Sequence, residues 1–508
     1  AGGILHSSTG DTELSFLSTL DLRSLIGLVK SPGLPGECRF AGRSLLELTA
    51  RGNFREPSKL QMRGRFVLGP FSCRSVPFER MNGVFSLNNG KWFVDEFSLV
   101  HQSGQISAST MLLPGNFHGR FQSTLNPNKL LPLFSGKAAE TLGNVDFEQP
   151  PAVSLDIHGA SPDIDSWVAV GEMKLGRTRI RGVPLSSATA TLRIRDGAVA
   201  FEQFKLVRDE GTAGGSLTYD FRKHEVRLDR VTTSIIPVDA AAWIDKDLVE
   251  NVSPYKFKTP PNLALNGVVQ LESDTHTNLE ISVDAPGGMD YLFARKNLSA
   301  RKLKGRLLFE NSRLHITDLD ADIFSGKLTG NLDISLKSEA PDYTAKIKVE
   351  NINFPALTKL YFNYGTSQGL LDGQYEFSGT GSEARTMKGE GTLSVTNGDV
   401  FAIPIFGPLS GILNGIVPGM GFNVAHQASA SFLVDDGMVE TGDFKIKGQG
   451  FDMVGGGKIF FLDDKINFNI RINAQGLPGV LLFPVSKLFE YNADGPLSKI
   501  TWKPARLP

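Results

Sequence analysis

The chain has 508 residues, 41% of them hydrophobic and 21% charged, with a formal net charge of −1. This composition excludes an intrinsically disordered chain, and near-neutral charge with scattered Lys and Arg excludes the basic footprint of a nucleic-acid binder. No apolar run approaches the ~18 residues of a membrane-spanning helix, and because the chain starts at Ala1 rather than Met we expect an N-terminal anchor or signal segment to lie outside it.

A strand followed by a short amphipathic helix recurs along the chain. The copies are Ser18–Val29, Phe121–Phe134, Val231–Ile244, Lys346–Phe362 and Lys465–Tyr491. They are spaced roughly 105 to 120 residues apart, the size of a small domain rather than of a solenoid repeat. The spacing predicts four modules: 1–135, 136–250, 251–364 and 365–508.

In the first module the loop Ser31–Gly36 precedes resumed strands and the stub Val76-Pro77-Phe78. Asn82–Thr110 then reads as a strand, an Asn89-Gly90 hairpin turn, a strand, a gap at Ser103-Gly104 and another strand. Asp196-Gly197, Asn311-Ser312 and Asp436-Gly437 occupy the same turn in the later modules, each about 37 to 42 residues before a helix start. Pro-rich boundaries at Gln149-Pro150-Pro151 and Thr259-Pro260-Pro261 are hinges or loops before a new strand. Cys38 and Cys73 leave two readings open, a disulfide in an oxidising compartment or two small buried hydrophobes.

Alternating strands have one wet and one dry face. In Lys465–Asn473, Ile466, Phe468, Ile470 and Ile472 point opposite to Asn467, Asn469 and Arg471. The dry face must be covered by a second sheet, by helices or by an apolar ligand. Five short helices are too few for some thirty strands. The expected fold is therefore mainly β: an elongated, repetitive, curled antiparallel sheet forming an apolar groove, with short amphipathic helices between modules.

The fourth module holds the most distinctive stretch. A strand through Leu393 and Val395 and a tight turn at Asn397-Gly398 lead into an inserted helix, 403–417, apolar almost all round. Its residues Ile403, Ile405, Phe406, Leu409, Ile412 and Leu413 cap one end of a trough or meet lipid. The closing helix is expected over 477–491.

The run GEGTLSVTNGDVFAIPIFGPLSGILNGIVPG, the strands that follow with Phe432, Gly437, Phe444, Gly455 and Gly457, and the ending Gly495-Pro496-Leu497 with Trp502 resemble the C-terminal region of the AsmA-like proteins. These are relatives of the TamB and YhdP-type envelope proteins of diderm bacteria. The resemblance covers roughly residues 387–508, and upstream modules fit only the general repeating β pattern. It implies a periplasmic protein anchored in the inner membrane, with a long apolar groove along which phospholipid passes toward the outer membrane, and with membrane or membrane-protein partners. The family's N-terminal anchoring helix is expected to lie outside these 508 residues, and the chain departs from the family in carrying Ser498-Lys499-Ile500 before Trp502.

The groove candidates are the dry-face residues Leu393, Val395, Phe432, Val434, Phe444, Ile446, Ile459, Phe461, Ile466, Phe468, Ile470 and Ile472. The eight histidines show no HxH or HExxH spacing and read as ordinary strand or loop residues, and the pairs Asp435-Asp436 and Asp463-Asp464 read as turn residues rather than calcium ligands. No metal, cofactor or catalytic set is indicated, and GxSxG, P-loop and dinucleotide motifs are absent. Three functions compete: a non-enzymatic conduit for phospholipid or another acyl-chain lipid, a structural or adhesive surface protein of β-sandwich modules, and an envelope enzyme acting on glycan or lipid.

Overall fold

A computed structural model describes residues 2–5, 10–19, 38–41, 43–53, 55–56, 59–161, 166–244, 246–271, 276–293, 296–338, 340–362, 368–381, 383–398, 409, 425–448, 451–474, 489–497 and 499–505. The chain divides into two units, residues 1–250 with 270–272, and residues 251–269 with 273–508.

The first unit is an antiparallel meander. Its strands pair in chain order: Gly2–Leu5, Asp11–Ser18, Ser44–Asn53, Gln61–Leu68, Arg80–Asn88, Lys91–His101, Gly104–Leu113, Asn116–Ser123, Ala152–Gly159, Val168–Leu175, Ser187–Arg195, Ala198–Val207, Thr212–Asp220 and Glu225–Thr233. Two small three-stranded sheets accompany it. One joins Cys38–Phe40, Phe71–Cys73 and Val76–Phe78, the other Val145–Phe147, Thr178–Ile180 and Val183–Leu185. Cys38 lies opposite Cys73 in the first, and the two form a disulfide, which settles the question left open by the sequence. Closing a loop of that length stabilises the fold by roughly 3–4 kcal/mol in the chain-entropy model.

The second unit repeats the plan with Asn262–Gln270, Asn278–Ala285, Lys296–Glu310, Arg313–Ile323, Gly326–Ser335, Asp342–Asn353, Leu370–Thr380, Lys388–Thr396, Ala425–Asp435, Met438–Gly448, Phe451–Phe460, Lys465–Ala474, Glu490–Gly495 and Thr501–Pro504. A short branch, Lys256–Phe257 with Met289–Phe293, joins the edge of Lys296–Glu310. The meander runs on across the expected module boundaries at 135/136 and 364/365, since Asn116–Ser123 pairs with Ala152–Gly159 and Asp342–Asn353 with Leu370–Thr380.

The hairpins turn where Asn-Gly and Asp-Gly require it. Asn89, Asp196, Asn311 and Asp436 all sit at φ 47–53°, followed by Gly90, Gly197, Ser312 and Gly437 at φ 59–76°, the left-handed pair of a two-residue hairpin turn. The strands after these turns carry bulges. Register shifts fall at Phe201/Phe204, Ile316/Leu319 and Thr441/Phe444. Each places one extra residue in the strand, and at Phe201/Phe204 and Ile316/Leu319 it lets two apolar residues three apart share the dry face. The freed backbone N–H groups are satisfied from the next strand: Gln203 N donates to Ser216 Oγ at 3.3 Å and Asp318 N to Asn331 Oδ1 at 3.2 Å.

Three of the expected strand-helix units lie among the described residues. The 3-10 helix Pro127–Leu133 starts at Asn126, whose side chain accepts from Asn128 N. The helices Pro237–Ile244 and Phe354–Phe362 follow their strands directly. Helices Gly136–Gly143 and Lys246–Val252 were not expected. The helical parts of Ser18–Val29, the inserted helix apart from Leu409, and the closing helix up to 488 lie outside the described residues. The closing helix does not reach 491, because Glu490 and Tyr491 begin the strand Glu490–Gly495, where Tyr491 pairs with Ile470.

The curled sheet forming an apolar groove is corrected. The fold is mainly β, repetitive and antiparallel with few short helices, but in each unit every strand of the meander pairs with its chain neighbours, so the sheet is open and does not curl closed on itself. The concavities that can be described lie instead on the polar side. One of about 1260 Å³ in the second unit has Lys346, Gln374, Glu376, Glu390, Glu440 and Asp443 in its lining. Another of about 740 Å³ in the first unit has Glu13, Arg51 and Arg63. Bulges bend strands, and Asp318 and Asp443, beside the bulges of two strands, belong to the larger hollow.

Candidate functional site

The dry face of the second unit is built from apolar residues in register across consecutive strands. One row runs Leu265, Ile281, Leu307, Ile316, Leu332, Ala345, Phe377. A second runs Leu279, Phe309, Leu314, Ile334, Tyr343. All of these except the buried Ala345 are only half-buried. At the other end of the same strands, Ala300, Ala321, Ile323 and Ile352 are buried with Leu357 of the helix Phe354–Phe362 against them. Among the described residues, helix cover is found at this end of the strands.

The opposite face is wet, and its charges pair across strands. Lys304 meets Asp284 at 3.5 Å, Arg313 meets Asp333 at 3.0 Å, Lys346 meets Glu376 at 2.8 Å and Arg471 meets Glu490 at 3.0 Å. These are exposed pairs and each stabilises the sheet by well under 1 kcal/mol. Arg385 bridges Asp436 and Asp463, one residue from each acidic hairpin pair, in keeping with turn residues rather than an ion site. Its guanidinium is held above its ordinary pKa by the hydrogen bonds to Asp463 and Asp436.

The groove candidates of the fourth module do not form an open surface. Val395, Phe444, Ile446, Ile466, Phe468, Ile470 and Ile472 are buried in one cluster with Phe451, Met453, Tyr491 and Trp502, and Ile446 and Ile470 are 0% exposed. Val434 is buried, while Leu393, Phe432 and Ile459 are half-buried. Phe461 lies just beyond its strand, in the turn, its N–H donating to Gly437 O. The dry side is dense here because small and large residues face each other: Gly455 stands opposite Ile470 and Gly457 opposite Phe468. A Cβ on Gly455 would fall 2.3 Å from Asn469 O, so only glycine lets the strands approach this closely. Leu409 is fully buried in the same cluster. Ile403, Ile405, Phe406, Ile412 and Leu413 lie outside the described residues.

One polar constellation escaped the sequence reading. His118 and His158 are cross-strand partners on Asn116–Ser123 and Ala152–Gly159, their rings stacked with centroids 4.4 Å apart. Both Nε2 atoms converge on Asp156 Oδ1, at 3.0 and 2.8 Å, and Arg120 Nη2 lies 3.6 Å from Oδ2. Burial pushes the Asp156 carboxyl pKa up, but the His118 hydrogen bond and the charges of His118, His158 and Arg120 outweigh it and hold the group below its ordinary range. The signal present in the sequence was Asp156-Ile157-His158, whose i, i+2 spacing puts both side chains on one strand face.

Among the described residues no helix is long and apolar enough to cross a membrane. Compared with protein-family models, curated proteins and solved structures, the chain matches none.

Proposed function

We propose that this is a non-enzymatic envelope protein that holds acyl chains of phospholipid or a similar lipid on the half-exposed apolar rows of residues 263–377. The observation that carries this reading is the run of Leu265, Ile281, Leu307, Ile316 and Leu332 in register over five strands, half-buried where the fourth-module rows are buried. Apolar surface repeated over that many strands is far more than a few scattered exposed side chains, and such patches mark binding surfaces. An acyl chain needs no polar partner, only a dry strip, and covering these rows would recover about 25 cal/mol per Å² of apolar area removed from water.

The Cys38–Cys73 disulfide fits an oxidising compartment. Together with the AsmA-like pattern of residues 387–508 it favours the periplasm, an inner-membrane anchor outside this chain, envelope membrane proteins as partners, and a contribution to outer-membrane biogenesis. Transfer of phospholipid between the two membranes is the extended form of the proposal. The filled C-terminal core favours a second, structural role for that region, as a stable end piece that holds no lipid.

The test is to purify the protein without detergent, extract it with organic solvent and analyse the extract by mass spectrometry. Near-stoichiometric co-purifying phospholipid is the expected result, reduced several-fold by Leu307→Asp with Ile316→Asp. Protein free of lipid that also fails to take up lipid from vesicles would contradict the proposal.

A further inference from the structure

We infer that His118, Asp156 and His158 form a binding site for a divalent transition-metal ion of the zinc type on the polar face of the first unit. The inference is independent of the lipid reading and rests on different residues.

The three groups are of the right kind and in the right number. Two imidazole nitrogens and one carboxylate oxygen are an established zinc ligand set, and three protein ligands leave a further position for water. The three ligand atoms lie within 4.8 Å of one another. Metal–ligand bonds of about 2.0–2.1 Å in a tetrahedral site put neighbouring donors roughly 3.3–3.4 Å apart, so the two Nε2 atoms, now at hydrogen-bond distances of 3.0 and 2.8 Å from Asp156 Oδ1, need open by only a few tenths of an ångström.

The sheet supplies this geometry by its own periodicity. Asp156 and His158 are two apart on one strand and so share a face, and His118 lies directly opposite His158 on the neighbouring strand. All three side chains hang from paired backbone, which fixes their Cα positions; the two rings lie nearly parallel, at 7°, and turn about their side-chain torsions to aim both Nε2 atoms at one ion. The carboxylate is divided between two tasks. Oδ2 faces Arg120 at 3.6 Å, which orients the group as a partner behind a ligand does, and leaves Oδ1 to face the two rings. Arg120 also places a positive charge beside the site, which weakens attraction for the ion without removing a ligand. His118 and Asp156 are about a third exposed and His158 is more open, so an ion can enter from solvent.

A different histidine pairing provides the control. His315 contacts Asp333 on the polar face of the second unit, but with a single imidazole.

The experiment is a titration of the chelator-treated full chain with Zn²⁺ alone, read by calorimetry at pH 7.5, and with Co²⁺, read by visible absorption. Binding of one Zn²⁺ per chain is expected, with His118→Gln, His158→Gln and Asp156→Asn each weakening it at least ~10-fold, the scale on which even a partner behind a ligand acts. His315→Gln should leave it unchanged. The Co²⁺ absorption band should disappear in the His118→Gln, His158→Gln double variant. Circular dichroism of each variant should match the parent chain, since the substituted side chains are on the solvent face. A parent chain with no saturable Zn²⁺ binding, or a folded double variant that binds Zn²⁺ and gives the Co²⁺ band as the parent does, would overturn the inference.

Discussion

Residues 262–377 and residues 425–504 are built from the same alternating strands in one antiparallel unit, yet their dry faces meet different surroundings. In the later region Ile446, Phe451, Met453, Ile466, Phe468 and Ile470 are all at most 2% exposed, with Phe444 and Ile472 beside them at 6% and 5%. In the earlier one the corresponding rows through Leu307 and Ile316 stay half-buried, with burial concentrated at the end covered by Leu357. Alternation decides which residues share a face. What lies over that face is decided by elements from elsewhere in the chain, such as those carrying Phe354 and Leu409 in the closed region, where Tyr491 and Trp502 extend the sheet itself.

The contrast is broken most directly by truncation in the closed region. Ile470→Ala removes a side chain with no solvent contact, packed opposite Gly455, and should cost about 3 kcal/mol in urea unfolding, within the range for buried aliphatic residues. Leu307→Ala should cost about 1 kcal/mol, because part of that side chain is already in water and its neighbours leave no sealed cavity. Equal losses at the two positions would mean that the two faces are equally covered.

A smaller effect separates the polar face from both. Asp443 accepts hydrogen bonds from Ser431 N and Ser431 Oγ, both at 2.8 Å. The backbone bond from Ser431 and then its side chain hold the Asp443 carboxyl below its ordinary pKa, against the effect of burial. A carboxyl depressed in the folded state stabilises fully above the unfolded pKa, about 3.9, and loses that contribution as pH falls through the folded value. Asp443→Ala should therefore cost under about 1 kcal/mol at pH 7, and its difference from the parent chain should narrow as pH drops below about 3.9. A difference that stays constant down to acid unfolding would mean that the ionised carboxylate contributes nothing.

Much of the fold was legible in the sequence where local chemistry dictates it. Asn89-Gly90, Asp196-Gly197 and Asp436-Gly437 marked the hairpins because few other pairs accept two left-handed residues in succession. Asn126-Pro127 marked a helix start for a different reason: Asn caps the first turn, and Pro fixes a helical φ where no N–H is needed. The bulges also leave a trace in the sequence: Phe201/Phe204 and Ile316/Leu319 break strict alternation by one residue, which a regular strand cannot do. Coverage was not readable, because Ile470 is buried in one cluster with residues as far off in the chain as Phe354, Leu409 and Trp502. The His118–Asp156–His158 group was hidden for another reason. His118 lies 38 positions from Asp156, and only the pairing of Asn116–Ser123 with Ala152–Gly159 brings them together.

Whether the half-open rows hold acyl chains is decided by site-specific photo-crosslinking in cells grown on labelled phosphate. A photoreactive residue would replace Leu307, Ile316, Ile470 or Lys346 in turn. Labelled lipid adducts are expected at Leu307 and Ile316 and none at the buried Ile470 or at Lys346 on the polar face. Adducts at Lys346 with none at Leu307 and Ile316, or no adducts at any of the four, would contradict acyl-chain binding on these rows.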